Sequence, residues 1–203
     1  MLTAEEPHKK RGTRVKNICD LCTEHNCEIK GATEFPAFCH SLDAIQDEAR
    51  KICEGEGAPE AKFFAIANRT ISECGYAKTR LDATVAFAKN MGYKKVGVAF
   101  CISFSHEAEI VCKYLRACGL SVESAVCKTG ANAGDGNYVN CNPVAQALLL
   151  NEAGTELNIE LGLCVGHDAL FSKYSEAPVT TLFTKEHCSD NRVIDSVRAL
   201  DNK

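Results

Sequence analysis

Residues 95–127, KVGVAFCISFSHEAEIVCKYLRACGLSVESAVC, contain the pattern that decides the fold. The first segment, Val96–Cys101, is a short apolar run of the kind that forms a strand buried on both faces. Apolar residues then recur at helical spacing after Ser105, and Gly119 closes that helix. A second apolar segment, Leu120–Cys127, reads as another strand. Strand, helix and strand joined by short links predict two parallel strands connected by a crossover helix.

The same alternation continues towards the C-terminus. Asn142 and Pro143 supply a helix cap and a first-turn proline. A third strand is predicted over Leu157–Cys164 and a fourth over Val179–Thr184, with a short helix near Asp168–Tyr174 between them. We therefore expect a small doubly wound α/β domain, Rossmann- or flavodoxin-like, with about four parallel strands in the order 2-1-3-4.

The N-terminal part of the chain has a different character. Residues 1–17 are predicted to be a flexible tail, and residues 18–58 a cysteine-rich metal-binding knuckle followed by a helix. Residues 59–203 then hold further helices and the α/β domain. Ser41 is a predicted helix cap, and Thr79 opens a capping box that starts a later helix.

Composition restricts the classes of function. The chain has 203 residues, a formal net charge of -4 and a sequence pI of about 5.9, a balance that argues against nucleic acid as a partner. It has neither a long apolar stretch nor an apolar leader, so we expect no membrane segment and a cytoplasmic location. The partner is then an unidentified protein or small molecule.

Cysteine is the anomaly, with 13 residues in the chain. In a reducing compartment, clustered cysteines indicate metal binding or reactivity, although a free cysteine also packs as a small hydrophobe. About half are expected to be core residues, because they fall on apolar helix faces, and one near the C-terminus is expected to be exposed. The predicted core cysteines are Cys53, Cys74, Cys112 and Cys118, and the exposed one is Cys188.

The first chemical constellation lies near the N-terminus, where a C-x2-C pair precedes two further cysteines. A C-x2-C turn presents two sulfurs to one ion, and later cysteines can complete a tetrahedron. We predict a metal site held by four thiolates, with zinc as the metal and a [4Fe-4S] cluster as the alternative. Adjacent histidines could replace one ligand. The ligands are Cys19, Cys22, Cys27 and Cys39, and the histidines are His25 and His40.

A second group of cysteines lies at or near the ends of the predicted strands. Cys101, Cys127 and Cys164 each end a predicted strand, and Cys141 precedes the helix that Pro143 opens. Ligands of open parallel sheets bind outside the carboxyl ends of the strands, so these sulfurs should converge there. We predict a second metal or iron–sulfur site at this edge, with metal-handling or redox work as its role. The alternative is that each cysteine only ends a buried strand.

Two other functions remain open at this point. Cys164 is followed by His167 and Asp168 at a helix start, an arrangement that would suit a thiol-dependent enzyme. The N-terminal knuckle could instead be a zinc-containing module that docks a protein partner.

Several of these stretches resemble one family, called domain of unknown function 1847. The resemblance is carried by CDLC at 19–22, YAKTR at 76–80, GVAFC at 97–101 and the long segment CNPVAQALLLNEAGTELNIELGLCVGHDALFSKYSEAPVTTL at 141–182. The family is described only as predicted metal-binding proteins, so it implies a metal and no reaction. The positions it implies are Cys19, Cys22, Cys27, Cys39, Cys101, Cys127, Cys141 and Cys164, with Arg80, His167 and Asp168 beside them.

This sequence departs from the family pattern at two places. His40 stands where similar proteins tend to have proline after the cysteine, so His40 could compete as a ligand. Residues 189–192, Ser-Asp-Asn-Arg, stand where a Gly-His-Asn-Pro segment is usual.

Overall fold

A computed structural model describes residues 17–75, 77–134 and 138–202. Residues 1–16, most of the predicted tail, lie outside the described part. The chain divides into two compact units, Met1–Phe64 and Ala65–Lys203.

The C-terminal unit is built on one sheet of four parallel strands in the order β2-β1-β3-β4, as the sequence predicted. The central strands are almost wholly buried, which explains their continuous apolar sequence. The strands are β1 Lys95–Phe100, β2 Ser121–Val126, β3 Leu157–Leu161 and β4 Val179–Phe183.

Helices connect and flank these strands, which confirms the doubly wound α/β prediction. None of the helices in the described chain is long and apolar enough to cross a membrane. The α-helices are α1 Ala44–Cys53, α2 Ala61–Cys74, α3 Arg80–Met91, α4 Ser105–Ala117, α5 Pro143–Glu152, α6 His167–Tyr174 and α7 Val193–Arg198; short 3-10 helices cover Cys19–Leu21, Asn26–Glu28, Ile102–Phe104 and Ala199–Asn202.

Two hydrophobic clusters lie on opposite faces of the sheet. On one face α3 and α4 pack against alternate residues of β1 and β3, such as Val98 and Ile159. On the other face α5 and α6, through residues such as Leu150 and Phe171, pack against the intervening strand residues, such as Ala99. Side chains alternate between faces along a strand, so Cys101 lies on the α5–α6 face with Ala99.

Strand β3 ends earlier than the sequence predicted, and Gly162 explains why. Its φ of +63° lies in the left-handed region that favours glycine. A Cβ at Gly162 would stand 2.2 Å from Cδ2 of Phe104, so the chain turns where the aromatic ring approaches it. The turn carries Leu163 and Cys164 out of the sheet and into the loop beyond its edge.

The helix caps follow the sequence in part. Thr79 and Asp82 form the predicted capping box of α3. The next residue, Arg80, donates from Nε to the carbonyl oxygen of Thr181 at 2.5 Å and so ties α3 to the edge strand β4. The predicted cap at Ser41 is wrong, because α1 begins two residues later with Asp43 as its N-cap.

Candidate functional site

Four cysteines lie at the carboxyl edge of the sheet, each held by a different connection. Cys101 follows β1, Cys127 follows β2, and Cys164 lies three residues after β3. Cys141 precedes α5, whose N-cap residue Asn142 donates its backbone N–H to the Cys127 carbonyl at 2.8 Å. Backbone hydrogen bonds thus extend the sheet framework to these loops.

The four thiols lie close enough to influence one another's ionisation. Besides burial, the neighbouring Cys101 and Cys141 raise the pKa of Cys127, and the same two cysteines raise the pKa of Cys164. We call these four cysteines at the sheet edge the thiol ring.

Two of the ring cysteines are buried, and the other two are partly accessible to solvent. Cys101 is 4% exposed and Cys127 is 2% exposed, and both belong to the hydrophobic cluster under α5 and α6. Cys141 and Cys164 are half-buried. A small ion or reagent would therefore reach the ring past these last two residues.

A lysine that the sequence reading did not single out completes the site. Lys185 Nζ donates to Cys101 Sγ at 3.3 Å and to the Ser103 hydroxyl at 3.0 Å. Lys185 follows β4 by two residues, so the same rule that selected the cysteines would have selected this lysine. The site thus combines four thiols with one ammonium group.

The surroundings divide the ring into thiols of different acidity. Burial opposes ionisation of Cys101, but hydrogen bonds from Ser103 and the Lys185 ammonium outweigh it and lower the pKa of this thiol. Burial raises the pKa of Cys127 to about 12, and the neighbouring Cys101 and Cys141 add to the effect. Burial, reinforced by neighbouring cysteines, also raises the pKa of Cys164. Of these three thiols, only Cys101 has a lowered pKa.

Gln146 supports the ring from α5 and is fully buried. Its Nε2 donates to the carbonyl of Phe100 at 3.2 Å and to that of Ala125 at 2.7 Å. These carbonyls lie immediately before Cys101 and two residues before Cys127, so the glutamine bridges the ends of both strands. Sequence patterning gave no signal for it, because a glutamine within a helix is usually exposed.

His167 and Asp168 occupy the first turn of α6, as predicted, but they do not engage the nearby thiol. Their backbone N–H groups donate to the Cys164 carbonyl at 3.0 and 3.1 Å. Asp168 Oδ1 accepts from the Ala169 N–H, and in the described chain neither side chain forms a hydrogen bond with the Cys164 sulfur. The residue that engages a ring thiol is Lys185.

The N-terminal cysteines lie in a unit whose described residues, 17–64, form no buried core. Among residues 17–64, all of which are described, none is fully buried. Cys19 and Cys27 are exposed, on the two short 3-10 helices, and Cys22 and Cys39 are half-buried. These thiols are therefore not packed as small hydrophobes.

All thirteen cysteines are free thiols. Within residues 17–75, 77–134 and 138–202, no three or more His, Cys, Asp or Glu side chains are already arranged around a common metal position. Of the cysteines predicted to be core, Cys74 and Cys112 are buried, while Cys53 and Cys118 are half-buried; Cys188 is exposed, as expected.

Comparison with known proteins places the chain in a family. Residues 39–182 match the family described as "Protein of unknown function (DUF1847)". The chain belongs to this family. It is also 40% identical over 156 residues to "Uncharacterized protein MJ0455" of Methanocaldococcus jannaschii, a match that covers 71% of this chain and 80% of that protein. The DUF1847 match includes all four ring cysteines and begins at Cys39, beyond the other N-terminal cysteines.

Proposed function

We propose that this DUF1847 protein binds a thiophilic metal centre, a zinc ion or an iron–sulfur cluster, in the thiol ring. The observation that supports the proposal best is that four cysteines from four different connections lie at the same carboxyl edge of one sheet. If each cysteine only ended a buried strand, nothing would require Cys141, in the loop before α5, to lie at the same edge as the other three.

The chemistry of the donor set fits such a centre. Four sulfur donors without a carboxylate suit zinc or iron–sulfur clusters and do not suit magnesium or calcium. Metal ligands must be thiolates, and four ionised thiols would leave excess negative charge around one divalent ion. The Lys185 ammonium at Cys101 offsets part of that charge, and its pKa is raised by the neighbouring thiols although burial opposes this.

The pKa values of Cys127 and Cys164 describe the metal-free state of the ring. Burial and the neighbouring sulfurs raise the pKa of both groups, so these thiols keep their protons in the metal-free protein. Metal binding would replace those protons. Reduced thiols are required, so we also propose a reducing compartment such as the cytoplasm.

The test is the metal content and visible spectrum of protein purified without oxygen. We expect zinc, or iron with sulfide and a coloured cluster, and a loss of one centre per chain in the Cys127→Ser variant. Cys112→Ser is the matched control, because Cys112 is equally buried but lies in the other hydrophobic cluster. The ring proposal fails if Cys127→Ser and Cys112→Ser retain the same metal content as the native protein.

A second candidate function is thiol chemistry at Cys101, favoured by one specific observation. Lys185 and Ser103 lower the pKa of Cys101, whereas at Cys164 burial outweighs the attraction of Lys185 and the pKa is raised. The thiol-enzyme hypothesis therefore moves from Cys164 and His167 to Cys101. Mass spectrometry of metal-free protein after brief alkylation should find Cys101 modified first; uniform slow modification of the ring would remove this candidate.

We also propose a separate metal site in the N-terminal unit, as the sequence predicted. What supports it is that four cysteines occur in a segment of 21 residues, Cys19–Cys39, where no side chain is fully buried. A unit of this size without a core usually needs a metal or disulfides for a stable fold. Zinc content should then exceed what the thiol ring alone can hold, and the Cys22→Ser variant should lose the excess.

A further inference from the structure

The two buried cysteines of the thiol ring lie opposite each other on neighbouring strands. In the parallel pairing of β1 with β2, Phe100 is the partner of Val126. The next pair in the same register is Cys101 and Cys127, and the Cys127 N–H donates to the Phe100 carbonyl at 2.9 Å, which continues the ladder to this pair. Neighbouring strands lie about 4.8 Å apart. Disulfide-bonded residues have Cα atoms about 4.4–6.8 Å apart, so the backbone already has the spacing that a disulfide requires.

Both side chains lie on the same face of the sheet. Cys101 and Cys127 belong to the hydrophobic cluster that α5 and α6 cover, where they are 4% and 2% exposed. The Cys127 Sγ atom accepts a hydrogen bond at 3.3 Å from the N–H of Ile102, the residue that follows Cys101. The Cys127 sulfur therefore lies against the backbone of the Cys101 segment.

The remaining contacts of the pair distinguish the two sulfurs. Lys185 Nζ donates to Cys101 Sγ at 3.3 Å, and an ammonium group at this distance favours negative charge on the sulfur. Cys101 is therefore the sulfur that attacks an oxidant first, and Cys127 is the neighbour that can close the disulfide. Because both sulfurs are buried, the oxidant must be small enough to pass the half-buried Cys141 and Cys164.

We propose that Cys101 and Cys127 are an oxidative modification site, a dithiol pair that hydrogen peroxide converts to a reversible disulfide. The Cys101 sulfur attacks one peroxide oxygen; the S–O bond forms as the O–O bond breaks, and the leaving oxygen takes up the Cys101 proton as water. The Cys127 sulfur then attacks the Cys101 sulfur; the S–S bond forms as the S–O bond breaks, and the leaving hydroxyl takes up the Cys127 proton as a second water. Two thiols thus lose two electrons, and one hydrogen peroxide is reduced to two waters.

The disulfide would regulate metal binding at the ring, and this consequence rests on the proposed function. Metal-binding cysteines are thiolates, so a disulfide removes two of the four ring sulfurs from the ligand set. Peroxide should therefore release a metal from the ring, and reduction of the disulfide should restore the capacity to bind it. The disulfide itself depends only on the placement of the two cysteines.

The test treats the full-length protein with hydrogen peroxide after a chelator has removed metal, blocks the remaining thiols and maps disulfides by mass spectrometry. The hydrophobic clusters of the C-terminal unit hold the ring in place without metal. We expect one disulfide per chain, between Cys101 and Cys127, that dithiothreitol removes. In Cys127→Ser this link should be lost completely, and Cys101 should accumulate as sulfenic acid or its further oxidation products.

The tryptic peptides provide internal controls for this measurement. Residues 96–113 hold Cys101 together with Cys112, and residues 117–128 hold Cys127 together with a second cysteine, Cys118. Fragment ions distinguish the two cysteines of each peptide. Because Cys112 lies in the hydrophobic cluster on the other face of the sheet, a link through it would show that the sheet does not select the pair.

The outcomes separate this proposal from the proposed metal site. The modification site is overturned if no disulfide forms, or if Cys101 pairs with Cys141 or Cys164 instead of Cys127. If the expected disulfide forms but natively purified protein holds no metal in the ring, the proposed function fails and the modification site stands. If the native protein keeps its ring metal after the disulfide has formed, the regulatory consequence is wrong.

Discussion

The two cysteine sets of this DUF1847 protein lie in units of opposite construction. The thiol ring rests on a sheet whose central strands are buried and whose strand ends are tied by backbone hydrogen bonds. The N-terminal cysteines lie on short 3-10 helices in a unit where no described residue is fully buried. A metal would therefore have a different consequence in each unit. It would stabilise the fold of the N-terminal unit, and it would add chemistry to the other, which is stable through its core.

Metal removal should give the largest difference between the two units, seen as a difference in hydrogen exchange. After treatment with a strong chelator, we expect the amides of residues 17–64 to exchange with deuterium at nearly unstructured rates. The reason is that structural zinc contributes on the order of 10–16 kcal/mol of apparent binding energy in zinc-finger peptides. Amides of β1 and β3 should keep their protection, because hydrophobic burial holds these strands. Full protection of residues 17–64 without metal would contradict the proposed contrast.

Substitution of Gly162 tests whether the close approach of Phe104 constrains the turn that leads from β3 to Cys164. In Gly162→Ala, the new Cβ would meet the Phe104 ring at 2.2 Å, so overpacking should destabilise the C-terminal unit by about 1–3 kcal/mol beyond backbone strain. Gly154→Ala is the matched control, since Gly154 has a similar φ of +65° and open space around it. Chemical denaturation followed by circular dichroism would compare the free energies of unfolding. Equal losses in both variants would show that the ring of Phe104 is not a constraint.

Lys185 tests the electrostatics of the ring. In metal-free Lys185→Gln, loss of the ammonium group should raise the pKa of Cys101, so that alkylation of this thiol at neutral pH slows several-fold and its onset moves to higher pH. Lys173→Gln, a change on the α6 surface, should have no effect. An unchanged profile of Cys101 alkylation against pH in Lys185→Gln would show that this lysine does not stabilise the thiolate.

Of the changes considered, substitution of Glu160 should have the smallest effect on stability. It is 3% exposed, and burial raises its pKa although the Ser172 and Thr181 hydroxyls donate to it. Between the ordinary carboxyl pKa of 4.5 and the higher pKa in the fold, the folded state keeps a proton that the unfolded state has released. Stability should therefore fall as pH rises through this range, and Glu160→Gln should remove that fall with a change within about 1 kcal/mol. If the stability of Glu160→Gln falls by the same amount over this pH range, groups other than Glu160 cause the fall.

Strong local patterns made most of the fold predictable. The apolar runs, the Thr79 capping box and the Asn142-Pro143 helix start gave the element order and the strand order β2-β1-β3-β4. The end of β3 was not predictable, because it depends on the approach of Phe104 to Gly162, which are 58 positions apart in the chain. Ser41 was expected as the cap because serine is a common N-cap residue, but the structure has Asp43 there, a residue type that caps equally well.

The candidate site, like the fold, was predictable from the sequence only in part. Convergence of the ring cysteines followed from the rule that parallel strands present their carboxyl ends at one edge. Lys185 obeys the same rule, but a single lysine after a strand does not by itself indicate a site. The bridging amide of Gln146 depends on individual side-chain contacts, which no periodicity in the sequence encodes.

The most direct test of the central claim is anomalous X-ray scattering from crystals of anaerobically purified protein. The account predicts a metal peak within the thiol ring, with metal–sulfur distances of about 2.3 Å to Cys101, Cys127, Cys141 and Cys164. A map without such a peak, in protein that was never exposed to oxygen or chelator and whose four ring cysteines are reduced, would contradict it.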